Sequence, residues 1–223
     1  EIRNILEQID RIASSTQYGH NNLLDGSRSG NGVATGAHLE FLSAGTEAHS
    51  SKPGGYGILI QRAASRAVHS GTVALNQAII DSGEQITISE GGRTVNFKTE
   101  KGKTVEQTLN DISVAIKNAG LNLDVIRPYP PQTQATTPQI LSFRHKEFGK
   151  EHTFQVASNT PGLVSYRSNV PFLVENGVDV VGEIGGEQTI GRGQVLTGAP
   201  GAKTTEGIRV SYTGETTPPG GFA

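Results

Sequence analysis

The chain has no cysteine, no methionine and no tryptophan. Without cysteine there is neither a disulfide framework nor a thiolate metal site. Without an initiating methionine, the chain is expected to be a processed product or a piece cut from a longer protein. Glu1 opens directly into a helical pattern with no capping residue before it, which points to a boundary inside a helix. Aromatic residues are scarce, at 5%, and hydrophobic residues reach only 34%. No run approaches the ~20 apolar residues of a membrane-spanning helix, and the charged, amphipathic beginning is not a secretory signal. Nor does one sign of charge dominate: 19 basic residues face 21 acidic ones. That balance gives no broad footprint for nucleic acid or an anionic membrane, so neither is an expected partner.

Glycine is abundant, with 29 among 223 residues. Length alone suggests one to three domains, and the composition fits several small, turn-rich β units better than one large globule.

At the N-terminus, Ile2, Ile5, Leu6, Ile9, Ile12 and Ala13 recur at helical spacing, with Arg3, Glu7, Asp10 and Arg11 mostly off the stripe. Ser14, Ser15, Gly19 and Asn21-Asn22 end that helix. A small, polar loop spans 27–36. Short strands are expected at His38–Ala44 and Gly57–Gln61, while 63–82 is ambiguous, with Ala74, Leu75, Ala78 and Ile79 hinting at a short helix. Ile86 and Ile88, then Glu90-Gly91-Gly92-Arg93, then Val95 and Phe97 predict a β-hairpin, because Gly-Gly supplies the positive φ of a tight turn. Thr104 and Gln107 form a capping-box pattern ahead of an apolar stripe, Val105, Leu109, Ile112, Ile116 and Ala119. Gly120 and Leu121 fit the C-terminal cap. Strands follow at Leu123 and Val125, at Ile140, Ser142 and Arg144, and at Thr153–Ala157, with a proline-stiffened loop through Pro128, Pro130, Pro131 and Pro138. A second Gly-Gly hairpin joins Val178, Val180 and Ile184 to Gln188–Leu196, and Ile208, Val210 and Tyr212 make the last strand.

No catalytic or metal-binding pattern emerges. His145 and His152 lack His-Glu-x-x-His spacing and are expected to be solvated surface residues. Asp124 and Asp179 are single carboxylates with no partner for acid–base work. Gly182, Gly185, Gly186, Gly191, Gly193 and Gly198 lie among strands, without the following helix N-terminus of a phosphate loop. They are expected at turns and bulges. No Gly-x-Ser-x-Gly elbow occurs. The expectation is a protein that is not an enzyme, with no catalytic residue, no metal and no cofactor. Ser27, Ser29, Ser50, Ser51, Thr133, Thr136 and Thr137 cluster in polar loops and are candidate positions for O-glycosylation.

The run Glu1-Ile2-Arg3-Asn4-Ile5-Leu6-Glu7-Gln8-Ile9-Asp10-Arg11-Ile12-Ala13, then Ser15-Thr16-Gln17-Tyr18-Gly19 and Leu23-Leu24-Asp25-Gly26-Ser27, resembles bacterial flagellin. It is similar to the end of the long N-terminal helix and the turn into the outer part of the subunit. From Gly55 to about Val164 the chain resembles the insertion motif that flagellins share with filament-cap and hook-associated proteins. Looser likenesses lie at Gly182–Gly186, Gly191–Gly198 and Gly207–Val210. The resemblance implies a secreted, extracellular structural subunit of the flagellar filament. Its partners would be other flagellin subunits, through core helices largely missing here, with Ile2, Ile5, Leu6, Ile9 and Ile12 as subunit-packing residues. It also implies an innate immune receptor as a partner of the full-length protein. That receptor's epitope lies mainly upstream of Glu1, and Ile5 stands where stimulating members carry a basic residue.

A cap or hook-associated protein is the rival reading, and a glycan-binding adhesin a second rival, with only five tyrosines to offer as a sugar platform. The expected architecture is α+β, mostly β: a short N-terminal helical stalk and two small β-rich lobes, one with a single helix packed on a sheet. The expected divisions are 1–27 for the helical remnant, 28–60 with 165–223 for a β-rich outer domain, and 61–164 for an α+β insertion domain.

Overall fold

The computed structural model describes residues 32–127 and 139–216, together with Ile5, Gln8, Gln17, Tyr18, Asn21 and Asn22. In chain order its elements begin with β1 (Gln17–Tyr18), β2 (Asn21–Asn22), β3 (Leu39–Ser43), β4 (Ile58–Arg62) and β5 (Arg66–Leu75). A short helix α1 (Gln77–Asp81), the hairpin β6 (Gln85–Glu90) and β7 (Arg93–Lys98), and the helix α2 (Val105–Asn118) follow. Then come β8 (Leu123–Ile126), β9 (Gln139–Phe148), β10 (Gln155–Ser158) and β11 (Phe172–Leu173). The chain closes with β12 (Val181–Ile184), β13 (Glu187–Arg192), β14 (Val195–Gly198) and β15 (Arg209–Tyr212). The described fold is α+β and mostly β.

The chain divides into two compact units, Glu1–Ala63 with Val180–Ala223, and Ala64–Asp179. The second is one continuous stretch set into the sequence of the first. Residues 165–179, grouped by the sequence with the outer β domain, belong instead to this second unit. The reason is packing and pairing: β11 pairs with β10, Val174 N donates to Phe154 O at 2.9 Å, and Val164 and Val174 are buried in that unit's core.

The first unit is built on a six-stranded antiparallel sheet in the order β3-β15-β14-β13-β12-β4. Its inward positions are Ile58, Ile60, Ile184, Leu196, Val210 and Tyr212, all buried. Gly185 and Gly186 make the β12–β13 turn at φ 63° and 76°. The stretch 188–196, read from sequence as one strand, is broken by Gly193 into the β13–β14 hairpin.

The second unit holds two sheets, β11-β10-β6-β7 and β5-β9-β8, around one core. The long helix α2 packs against β7 and β8. It turns Val105, Leu109, Ile112 and Ile116 inward, all buried. Thr104 Oγ1 accepts from Gln107 N at 3.2 Å and Gln107 Oε1 accepts from Thr104 N at 2.9 Å, so the capping box forms in full. At the other end Gly120 sits at φ 68°, and Leu121 N reaches Ile116 O at 3.1 Å while Gly120 N reaches Lys117 O at 3.0 Å. This is a Schellman cap. Replacing Thr104 by alanine removes an acceptor for a first-turn amide and should lower unfolding stability by ~1 kcal/mol, with serine nearly neutral. Thermal denaturation of both variants checks this; an alanine variant as stable as the parent would refute it.

Two strands of this unit, β5 and β9, also differ from the sequence reading. The ambiguous stretch 63–82 contains the ten-residue β5 before α1 starts at Gln77. On β9 the sequence picked out Ile140, Ser142 and Arg144, but the buried positions are Leu141, Phe143 and His145, and Ile140 is 42% exposed. Side chains alternate faces along a strand, so choosing the other parity exchanges inside for outside.

Candidate functional site

Of the proposed packing stripe, Ile5 is helical and 56% exposed. Ile2, Leu6, Ile9 and Ile12 lie outside the described residues. Ser50 and Ser51 are exposed, while Ser27, Ser29, Thr133, Thr136 and Thr137 also lie outside.

The histidine expectation needs correction. His145 is 1% exposed, because it shares the inward parity of Leu141 and Phe143 on β9. Its Nδ1 accepts from Glu147 N at 2.9 Å. A neutral ring therefore carries its proton on Nε2, which lies 3.5 Å from Glu90 Oε1. The His152 ring stacks on it, with centroids 4.9 Å apart and planes 21° apart. Sequence spacing did not show this arrangement, because β9 and the turn after it bring two residues seven apart into contact.

The two single carboxylates do not meet. Asp124, on β8, lies 3.9 Å from both Arg144 Nη2 and Lys146 Nζ. Asp179 is 8% exposed and reaches Lys150 Nζ at 3.3 Å. Among the described residues no group of three or more His, Asp or Glu side chains is placed to hold a metal ion, and no helix is long and apolar enough to cross a membrane.

The glycine cluster resolves into two kinds. Gly185, Gly186 and Gly193 have positive φ and serve turns. Gly182, Gly191 and Gly198 lie on strands and make room for backbone. A Cβ on Gly191 would sit 1.8 Å from Val180 O, and one on Gly198 1.8 Å from Thr205 O. Gly182 adjoins the register shift in the β12–β4 pairing. Turns therefore account for three of these six glycines and close backbone approach for the other three, of which Gly182, whose Cβ would sit 2.3 Å from Leu59 O, also adjoins the bulge.

Sequence reasoning missed two carboxylates that organise loops. Glu84, 2% exposed, accepts from Asn159 N, Thr160 N and Thr160 Oγ1 at 2.6, 3.0 and 2.6 Å. Glu187 accepts from Lys203 N, Thr204 N, Thr205 N and Thr205 Oγ1 at 3.1, 3.2, 2.9 and 2.6 Å. The Thr205 hydroxyl first, then the Thr204 and Thr205 amides, hold the Glu187 carboxyl below its usual 4.5. A depressed carboxyl contributes stability above its unfolded value, and loses it as pH falls through the folded one. The stability gap between the parent and Glu187→Gln should therefore be widest near neutrality and close as the pH drops below about 4.5. Thermal melts across that range check it, and a gap independent of pH would refute it.

A groove of about 620 Å3 lies in the second unit, lined by Leu123–Arg127, Ser113 and Lys117 of α2, and Arg144 and Lys146 of β9. Its polar lining is mostly cationic. Arg127 is engaged by Glu106 at 2.5 Å and Asn110 at 2.6 Å. Of the other three cations, Arg144 and Lys146 stand near Asp124, the one acidic lining residue, and Lys117 does not.

The molecule thus belongs to the class of nested β-rich folds: a helix-covered α+β unit set into the chain of an antiparallel β unit. Solved structures similar to it include the D2-D3 domains of the flagellar cap protein FliD from Escherichia coli. There the TM-score is 0.51 and identity 14%, over 82% of this chain and 92% of that one. The D2-D3 domains of the cap protein from Serratia marcescens align at TM-score 0.50 and 12% identity, over 84% and 98%. A longer Escherichia coli piece, D1-D2-D3, aligns at 0.51 and 14% over 83% of this chain and 53% of that one. At such identities the likeness concerns the fold. No protein-family model and no curated protein matches the chain. These neighbours are parts of a flagellar component, as the N-terminal run implied, but of the cap protein rather than of flagellin.

Proposed function

We propose that this chain is the outer, two-unit portion of a structural, non-enzymatic subunit of the bacterial flagellum, acting outside the cell, and that the subunit is of the filament-cap kind. The observation that carries this reading is the fold: the likeness to the D2-D3 pair extends over both units, covering 82% of this chain and 92% of that one. A second reading, flagellin itself, rests on the N-terminal run from Glu1 to Ser27. The two differ in where the protein sits. Immunogold electron microscopy with antibodies against the described units separates them. Label at filament tips supports the cap reading, and label along the whole filament supports flagellin. Label absent from flagella would overturn both.

In either case the partners are other flagellar subunits, and the stripe of Ile2, Ile5, Leu6, Ile9 and Ile12 is the surface that packs against their helices. Assembling subunits bury such stripes against neighbours. Ile5→Asp together with Ile9→Asp in the full-length protein should abolish assembly in electron micrographs while leaving the circular dichroism of the outer units unchanged. Normal assembly by that variant would remove the stripe from the interface.

A further inference from the structure

We infer that the open edge of β8 is a docking site for an extended, acidic peptide segment, taken up as an added strand. This does not depend on the flagellar reading. Among the described residues β8 pairs with β9 on one side only and ends its sheet. An edge strand presents a row of unpaired backbone N–H and C=O groups, which template another strand. Here the groove follows that strand, since five consecutive residues, Leu123 to Arg127, line it.

The flanks determine which strand fits. Lys117 stands on the α2 side, and Arg144 and Lys146 on the β9 side. With Arg127 neutralised by Glu106, three cations remain against the one carboxylate of Asp124. That carboxylate lies 3.9 Å from two of them, beyond hydrogen-bond length. Lys117 has no ion pair among the described residues, and Arg144 Nε is enclosed without a hydrogen-bond partner. The groove therefore concentrates an excess of two positive charges in a chain whose formal net charge is -2. A compact anion could meet Arg144 and Lys146, which converge on Asp124, but not Lys117 as well, which stands on the α2 side of the strand. Successive side chains of an extended peptide point to opposite sides, and its backbone would lie ~4.8 Å from β8. Acidic residues along such a peptide reach both flanks while its main chain pairs with β8. In this mode main-chain bonds supply affinity and side chains supply selection.

The test uses the whole 223-residue chain and a fluorescent peptide of about six alternating Glu and Val residues, matched to a strand rise of ~3.3 Å per residue. Fluorescence anisotropy should show saturable binding. The double variant Lys117→Glu with Lys146→Glu should weaken it ~10-fold or more, a loss of ~1.4 kcal/mol. Methylating alternate peptide amides should abolish it, and a Lys-Val peptide should not bind. Far-UV circular dichroism confirms that the variant is folded, and amide shifts should map to 123–127. Equal binding of the methylated peptide would show that the groove attracts any polyanion and would overturn strand addition. Binding indifferent to charge reversal, or no saturation at millimolar peptide, would overturn the site itself.

Discussion

Glu84→Ala should destabilise the Ala64–Asp179 unit by about 3–5 kcal/mol, since it strands three donors that a buried carboxylate now satisfies. The effect exceeds that of an ordinary loop hydrogen bond because of what the loop connects. Ser158 and Ser165 hold its two ends, with Ser158 N donating to Ser165 Oγ at 3.0 Å. Between them, Gly162 O accepts from Thr72 N and Val73 N at 2.7 and 2.9 Å. The loop thus ties β10, in one sheet, to β5, in the other, and it buries Leu163 and Val164 beneath them. Urea denaturation followed by circular dichroism measures the loss. Glu84→Gln should lose less, because its amide oxygen still accepts from part of the loop. A loss below ~1 kcal/mol for alanine would show that water replaces the carboxylate and that the loop is not held by it.

Gly191→Ala should destabilise the other unit by about 3 kcal/mol, at the upper end of overpacking penalties. The new Cβ would meet Val180 O at 1.8 Å. A side chain could rotate away from such a clash, but a backbone carbonyl cannot move without shifting its strand. The informative control is Gly186→Ala. Gly186 has φ 76°, and a methyl group added there would meet nothing within 4 Å, so only backbone strain of about 1–2 kcal/mol is expected. If the two variants lose equal stability, close approach is not what selects glycine at 191.

Much of the local structure could be read from the chain. The capping box at Thr104 and Gln107, the stripe from Val105 to Ile116, the Gly120 cap and both Gly-Gly turns each depend on neighbours within a few residues. Where the reading failed, the missing information was not local. β9 offers apolar residues on both parities: Ile140 on one, Leu141 and Phe143 on the other. Only the packing of α2 and the facing sheet decides which parity is inside. β5 escaped notice because its alternation is interrupted by small and polar residues. One of these is Gly71, where a Cβ would lie 1.9 Å from Leu163 O; that glycine reflects a loop almost a hundred residues away. The placement of 165–179 failed for the same reason, since β11 has meaning only beside β10.

The candidate sites divide along the same line. Composition and spacing argued against thiolate and disulfide chemistry and pointed to small, turn-rich β units, while the structural subunit was what the resemblance to flagellin implied. They could not show that His145 is buried against His152, that Glu84 and Glu187 each gather a distant loop, or that Lys117, Arg144 and Lys146 flank one strand edge. By itself the sequence determined the elements whose stability comes from residues three or four apart, or from a turn of two glycines. The tertiary structure alone decided faces, loop anchors and the grouping of charges, because each depends on pairing and desolvation between segments far apart in the chain.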